Sequence, residues 1–134
     1  MRNAGTNKES QLEKTIQEII QSKAQSKIYL FLLRKHHCKT EDVIKGTRLH
    51  PSTVRDALVR MYKNQLIFRE KIKTDSIGKN PYVYVPIPPI LLIKKHIEEL
   101  EQRLNSIVNV SFGKKQDTSV HTVQININKQ EGIQ

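Results

Sequence analysis

The chain has 134 residues, 37% of them hydrophobic and 5% aromatic with no Trp, and it carries a formal net charge of +10. That length holds one modest domain plus an extension, with a core resting on Ile, Leu and Val. A single cysteine, Cys38, excludes an intrachain disulfide and fits a reducing cytosol.

The apolar run IYLFLL at 28–33 is far short of the ~20 residues a membrane span needs. The N-terminal stretch MRNAGTNKES lacks the apolar core of a signal peptide. Both features predict a soluble, cytoplasmic protein. A balance this basic points first to nucleic acid and then to an acidic membrane surface. The charge is also concentrated: residues 45–79 carry +6 of it, 1–44 carry +3, 108–134 carry +1 and 80–107 none. A solvated surface without a partner gives no reason for that clustering.

In chain order, residues 1–10 are polar. From Gln11 the pattern is helical, with Leu12, Ile16 and Ile19/Ile20 in phase and Ile28, Phe31 and Leu32 continuing it. This reads as one long helix, or as two with a break near Ser22–Ser26. The favoured reading is an extension helix followed by a first core helix over 25–36. Thr40 with Glu41 and Asp42 behind it predicts an N-cap and an acidic first turn. Val43 and Ile44 face inward, and Gly46 is expected to end this short helix.

A turn at 47–50 then places Leu49 inward. Pro51 suits a first helical position, where its missing N–H would be unpaired anyway. The helix over 51–64 buries Val54, Ala57, Leu58 and Met61 at i, i+3, i+4, i+7. Its opposite face carries Ser52, Arg55, Asp56, Val59, Arg60 and Lys63.

QLIFREKI (65–72) and PYVYVPI (81–87) are β-branched and aromatic runs on either side of the polar KTDSIGKN. They predict a hairpin with a basic tip. Pro86, Pro88 and Pro89 interrupt regular structure before the next helix. In that helix Ile90, Ile93, Ile97, Leu100, Leu104 and Ile107 step by alternate threes and fours, an a/d seam of about two and a half heptads. The seam packs either on its own domain or, in the favoured reading, on a second copy. IVNVSF (107–112) and SVHTVQININ (119–128) both alternate. They suggest a second hairpin, and a disordered tail is the alternative.

Helix, short helix, sharp turn, helix, β-hairpin is the order of a winged helix-turn-helix. The expected fold is therefore mainly α with a small β-hairpin wing and a C-terminal dimerisation helix. Its expected divisions are 1–24 (polar N-terminus and extension helix), 25–88 (winged helix-turn-helix), 89–107 (dimerisation helix) and 108–134 (tail). A helix fits the major groove of B-DNA, where each base pair offers its own donor and acceptor pattern. Residues near the N-terminus of the second helix reach base edges. A basic wing follows the backbone or the minor groove.

The segments KIYLFLL, TEDVIKGTRLHPSTVRDALVRMYKNQLI and NPYVYVPIPPILLIKKHIEELEQRL, spanning residues 25–104, resemble the N-terminal domain of the TrmB-like archaeal transcription regulators, relatives of the MarR group. That family has a Tyr-Leu first helix, a Ser-Thr-Val recognition helix, an aromatic wing strand ending in a Pro pair, and a dimerising helix. Its usual Gly-Leu wing entry is Gln65-Leu66 here. Full-length members carry a sugar-binding domain after the coil, whereas this chain runs about 30 residues past Leu104. The resemblance implies DNA binding and dimerisation without support for a small-molecule effector domain.

Family pattern and helical phase agree on the candidates. Ser52, Thr53, Arg55 and Asp56 are the expected base readers. Arg55 leads, because its fork matches guanine O6 and N7. Asp56 either accepts from cytosine or pairs with Arg60 at i+4. Arg48, Arg60, Lys63, Lys71, Lys73 and Lys79 are the expected backbone contacts. Ile90, Ile93, Ile97, Leu100, Leu104 and Ile107 are the expected dimer interface.

His36, His37 and Cys38 are adjacent and lack a spaced partner motif, so no metal site is expected. No cofactor is implied, and no Gly-rich phosphate loop or nucleophile–base pattern suggests an enzyme. The leading expectation is a homodimeric, nucleoid-associated regulator that binds double-stranded DNA sequence-specifically. The alternatives are a non-specific chromosome-coating protein and a winged helix used as a protein-interaction module.

Overall fold

A computed structural model describes residues 3–72, 82–111 and 122–128, with the side chains of 8–72, 82–110 and 122–128. The chain forms two compact units, Met1–Pro89 and Ile90–Gln134. The first contains helices α1 (Asn3–Ile20), α2 (Lys23–Lys35), α3 (Thr40–Thr47) and α4 (Pro51–Lys63), followed by strands β1 (Ile67–Lys71) and β2 (Tyr82–Pro86). The second is built on helix α5 (Pro89–Ser111). No helix among the described residues is long and apolar enough to cross a membrane.

The N-terminal helical pattern resolves into two helices. Gln21 takes a left-handed φ of 60°. Ser22, in extended conformation, caps α2 by accepting the Gln25 N–H at 3.2 Å. The Ser22 carbonyl also accepts the backbone N–H and the hydroxyl of Ser26, which is buried. A serine that supplies both a cap and a carbonyl at one point breaks the helix there. α1 packs on α2, with Ile16 buried and Leu12 exposed.

Two expected helix boundaries move. The N-cap of α3 is Lys39, and Thr40 is already helical. The Asp42 carboxylate accepts the Lys39 N–H at 3.1 Å, so the acidic first turn ties down the backbone at the helix start one residue before the expected cap. Gly46 does not end α3. The helix runs through Thr47 and closes on Arg48, whose φ is 60° and whose N–H reaches the Ile44 carbonyl at 3.0 Å. Gly46 serves packing instead: a Cβ there would run into the Phe31 ring.

α4 starts as expected, with Pro51 at its head. It buries Val54, Ala57, Leu58 and Met61 against a core that includes Ile28, Tyr29, Leu32, Val43 and Ile67. It ends where the Leu66 N–H returns to the Met61 carbonyl at 2.9 Å, with Gln65 at φ 63°. The family's glycine at this wing entry has a physical reason, since a left-handed residue there favours one without a Cβ.

β1 and β2 pair antiparallel, from Ile67 opposite Pro86 to Lys71 opposite Tyr82. A short bridge extends the sheet by one position. Cys38 and Tyr84 exchange backbone hydrogen bonds of 3.2 and 2.8 Å, which joins the α2–α3 connection to the wing. Burial, reinforced by Asp42, pushes the Cys38 thiol up, so it stays protonated at neutral pH.

Tyr29 closes the core. Its side chain is fully buried and its hydroxyl donates to the Ile87 carbonyl at 2.8 Å. Tyr29→Phe keeps the ring but strips a buried acceptor of its donor, and is expected to cost about 1–3 kcal/mol in chemical unfolding. Burial raises the Tyr29 phenol from 10.0 to about 12. The unfolded chain ionises first, so the wild type loses stability as pH rises from about 10 towards 12. In Tyr29→Phe that particular loss is expected to vanish.

In the second unit, α5 passes the expected end at Ile107 and continues to Ser111, so 107–111 is helix and not the first strand of a hairpin. The alternating β-branched residues there are carried by continuation of a helix already three quarters built. Residues 122–128 do keep a two-residue alternation, with Val123, Ile125 and Ile127 half-buried between exposed polar neighbours. They have no strand partner among the described residues and lie along α5. Val123 N–H donates to the Asn105 side-chain oxygen at 2.6 Å, and Ile125 N–H to the Glu101 carboxylate at 3.0 Å. The pattern was real, and its partner is a helix. Residues 119–121 of the proposed strand lie outside the described residues.

Candidate nucleic-acid interface

The interface candidate is built on α4. His50 is its N-cap, and the imidazole Nδ1 accepts the Ser52 N–H at 3.3 Å and lies 2.8 Å from the Ser52 hydroxyl. The ring therefore fixes both the helix start and the direction of the Ser52 side chain. Sequence reasoning passed over His50, although a polar residue before a Pro-headed helix is a capping signal.

Ser52, Thr53, Arg55, Asp56, Val59, Arg60 and Lys63 are all exposed. α4 thus presents one continuous outward face. In this structure the Asp56 carboxylate pairs with Arg60 Nε at 3.3 Å, both side chains being about two thirds exposed (67% and 66%). An exposed i,i+4 pair contributes only about 0.3–0.5 kcal/mol, so it can open at little cost when a ligand offers either side chain a better partner.

Arg48 stands exposed at the left-handed turn before α4, and Lys71 is exposed at the end of β1. Lys73 and Lys79 lie outside the described residues.

Arg69 joins the wing to α4. Its guanidinium lies over the Tyr62 ring from α4, 3.9 Å from the centroid, and over the Tyr82 ring from β2 at 4.5 Å. Each such contact contributes about 0.5–1 kcal/mol at an exposed site. The pairing register places Arg69 opposite Tyr84, so Tyr82 is its diagonal neighbour. Sequence reasoning counted Arg69 only as charge. Its faint signal was an arginine in a strand run flanked by two tyrosine-bearing elements.

On α5, Ile90, Ile93 and Ile107 of the expected dimer seam are exposed, as is Val110 beyond it. Ile97, Leu100 and Leu104 are half-buried. Ile90 and Ile97 also line a groove whose other wall is Ile125–Asn128, so the chain's own extended segment claims part of the seam.

No curated protein matches the chain in sequence. Among solved structures, the chain is similar to a possible transcriptional regulator from Methanosarcina mazei Go1, with 20% identity and a TM-score of 0.59 over 72% of this chain and 84% of that one. It is also similar to TrmBL2, an archaeal chromatin protein with a novel mode of DNA binding. There the identity is 14% and the TM-score 0.62, over 77% of this chain and 37% of that one. At these identities the likeness is one of fold, and it agrees with the TrmB-like resemblance of the sequence. A family model described as TFIIE alpha subunit matches residues 11–112, most of the chain. The five helices and antiparallel hairpin of the described residues, with α4 and the wing side by side, fit that match, and the chain belongs to the TFIIE alpha subunit family, a winged-helix family of transcription proteins and not of enzymes.

Proposed function

We propose that this protein is a sequence-specific transcription regulator that binds double-stranded DNA as a homodimer. The observation that carries the proposal is the outward face of α4. Its polar and cationic side chains are exposed, they adjoin the wing, and they lie in the segment that holds +6 of the +10 net charge. α4 enters the major groove with Ser52, Thr53, Arg55 and Asp56 near base edges. Arg48, Arg60, Lys63 and Lys71, with Lys73 and Lys79 from the sequence between the two strands, meet phosphates along the backbone or the minor groove. The exposed isoleucines of α5 support association of two copies through Ile90, Ile93, Ile97, Leu100, Leu104 and Ile107. The protein would then work in the cytoplasm at the nucleoid, and it would repress by covering promoter DNA.

A second reading is favoured by the fold likeness to TrmBL2, which is a chromatin protein. In that reading the chain coats chromosomal DNA without sequence preference, with affinity dominated by phosphate contacts.

Random-sequence selection on duplex DNA, followed by binding across salt, tests both. The expected result is an enriched pseudo-palindrome with half-sites about one helical turn, ~10 bp, apart. Tight binding without a motif transfers the function to chromosome coating. Absence of binding at physiological salt overturns both and leaves the winged helix as a protein-interaction module.

A further inference from the structure

Two exposed residues on α4 are large and apolar, Val59 and Tyr62. Tyr62 is accounted for by Arg69, which lies over its ring. Val59 is 50% exposed and belongs to neither the core nor the wing contact. Helix propensity does not explain it either, since Ala, Glu or Lys would serve an exposed helical position better.

Its place on the helix is specific. At about 100° per residue, Ser52, Val59 and Lys63 fall within about 40° of arc, with Arg55 and Asp56 about 40° and 60° to either side of Val59. The buried stripe of Val54, Ala57, Leu58 and Met61 lies on the opposite side. Val59 therefore sits near the middle of the face that the DNA-binding reading turns towards the groove floor. The floor of the major groove offers hydrogen-bonding groups at every base pair and one apolar group, the 5-methyl of thymine. A branched aliphatic side chain in the centre of a polar reading face complements that methyl group and has no other partner in the groove.

We infer that Val59 is a specificity-determining residue that packs against the 5-methyl group of a thymine. The inference rests on the DNA-binding reading above and adds a base to it. Arg55 and Val59 are one turn apart, about 6 Å along the helix. Successive base pairs rise about 3.4 Å. A helix inclined in the groove advances along the DNA axis by no more than the distance along its own, so the thymine lies within about two base pairs of the guanine that Arg55 reads.

The test uses the duplex recovered by selection and a series in which each thymine is replaced singly by deoxyuridine, which pairs identically and lacks only the methyl. Wild type, Val59→Ala and Val59→Thr are titrated by fluorescence anisotropy. Wild type is expected to lose about fourfold in affinity at one thymine, the effect of burying one methyl-sized group. Val59→Ala is expected to lose a similar factor on the parent duplex and to become indifferent to deoxyuridine at that position. Val59→Thr, which keeps a branched methyl, is expected to retain the discrimination.

Specific binding by a wild type indifferent to every thymine methyl overturns the inference and leaves DNA binding standing. So does a Val59→Ala protein with an undiminished response to deoxyuridine, and so does tight binding with no motif. Absence of duplex binding at physiological salt overturns the inference together with the reading beneath it.

Discussion

Arg55→Ala is expected to weaken binding to the selected site by about 1–3 kcal/mol while leaving affinity for random duplex nearly intact. The asymmetry follows from where the side chain stands. Arg55 is exposed on the first half of α4, one turn from the helix start that His50 fixes. Among the described residues no ion pair holds it, whereas Arg60 is occupied by Asp56. Its guanidinium can offer two parallel donors to guanine O6 and N7, and alanine offers none. Competition binding with specific and scrambled duplexes reads the difference directly. Equal losses on both would assign Arg55 to phosphate and move base reading elsewhere on the helix.

The larger change in total affinity is expected from the cations. Replacing Arg48, Arg60, Lys63 and Lys71 together with Gln should lower the steepness of the log K against log salt plot by about 3 to 4 per protomer, and so by about 7 for a bound homodimer, because each neutralised phosphate contributes about 0.9. Specific and random DNA should lose affinity alike, the reverse of the Arg55 result. The Arg60 change also releases the Asp56 carboxylate, so part of the loss reflects a new unpaired negative charge facing DNA. Asp56→Asn in the same background separates that contribution. An unchanged slope would show that these four side chains do not meet phosphate.

The sequence was most legible where a single element declares itself. α4 has a Pro at its head, four core residues at regular spacing and a charged outer face, and each of these marks was visible without coordinates. The hairpin was legible for a similar reason, since two β-branched runs around a polar loop have few other uses. What escaped depends on atoms distant in the chain or on competition at helix ends. Gly46 looked like a terminator because glycine so often is one, whereas its reason is the Phe31 ring from α2. Thr40 looked like a cap, but the helix begins one residue earlier, where the Asp42 carboxylate accepts the Lys39 N–H.

Residues 107–111 alternate like a strand and remain helical. The helix before them was already formed, and adding a residue to a helix costs far less than starting a sheet. For the candidate interface, the list of outward residues on α4 could be read from periodicity. Their engagements were less legible: periodicity offered the Asp56–Arg60 pair only as one of two alternatives, and the His50–Ser52 contact and the Arg69 clamp come from side-chain geometry alone.

That clamp has a practical consequence. The chain has four tyrosines and no tryptophan, so its near-ultraviolet emission is tyrosine emission alone. Tyr29 and Tyr84 are buried, while Tyr62 and Tyr82 are the exposed pair, each with the Arg69 guanidinium across its ring. The protein therefore carries a built-in optical reporter at the junction of helix and wing. A ligand that displaces Arg69 or shields those rings changes their quantum yield without any attached dye, and Tyr62→Phe or Tyr82→Phe tells which side of the junction it touches.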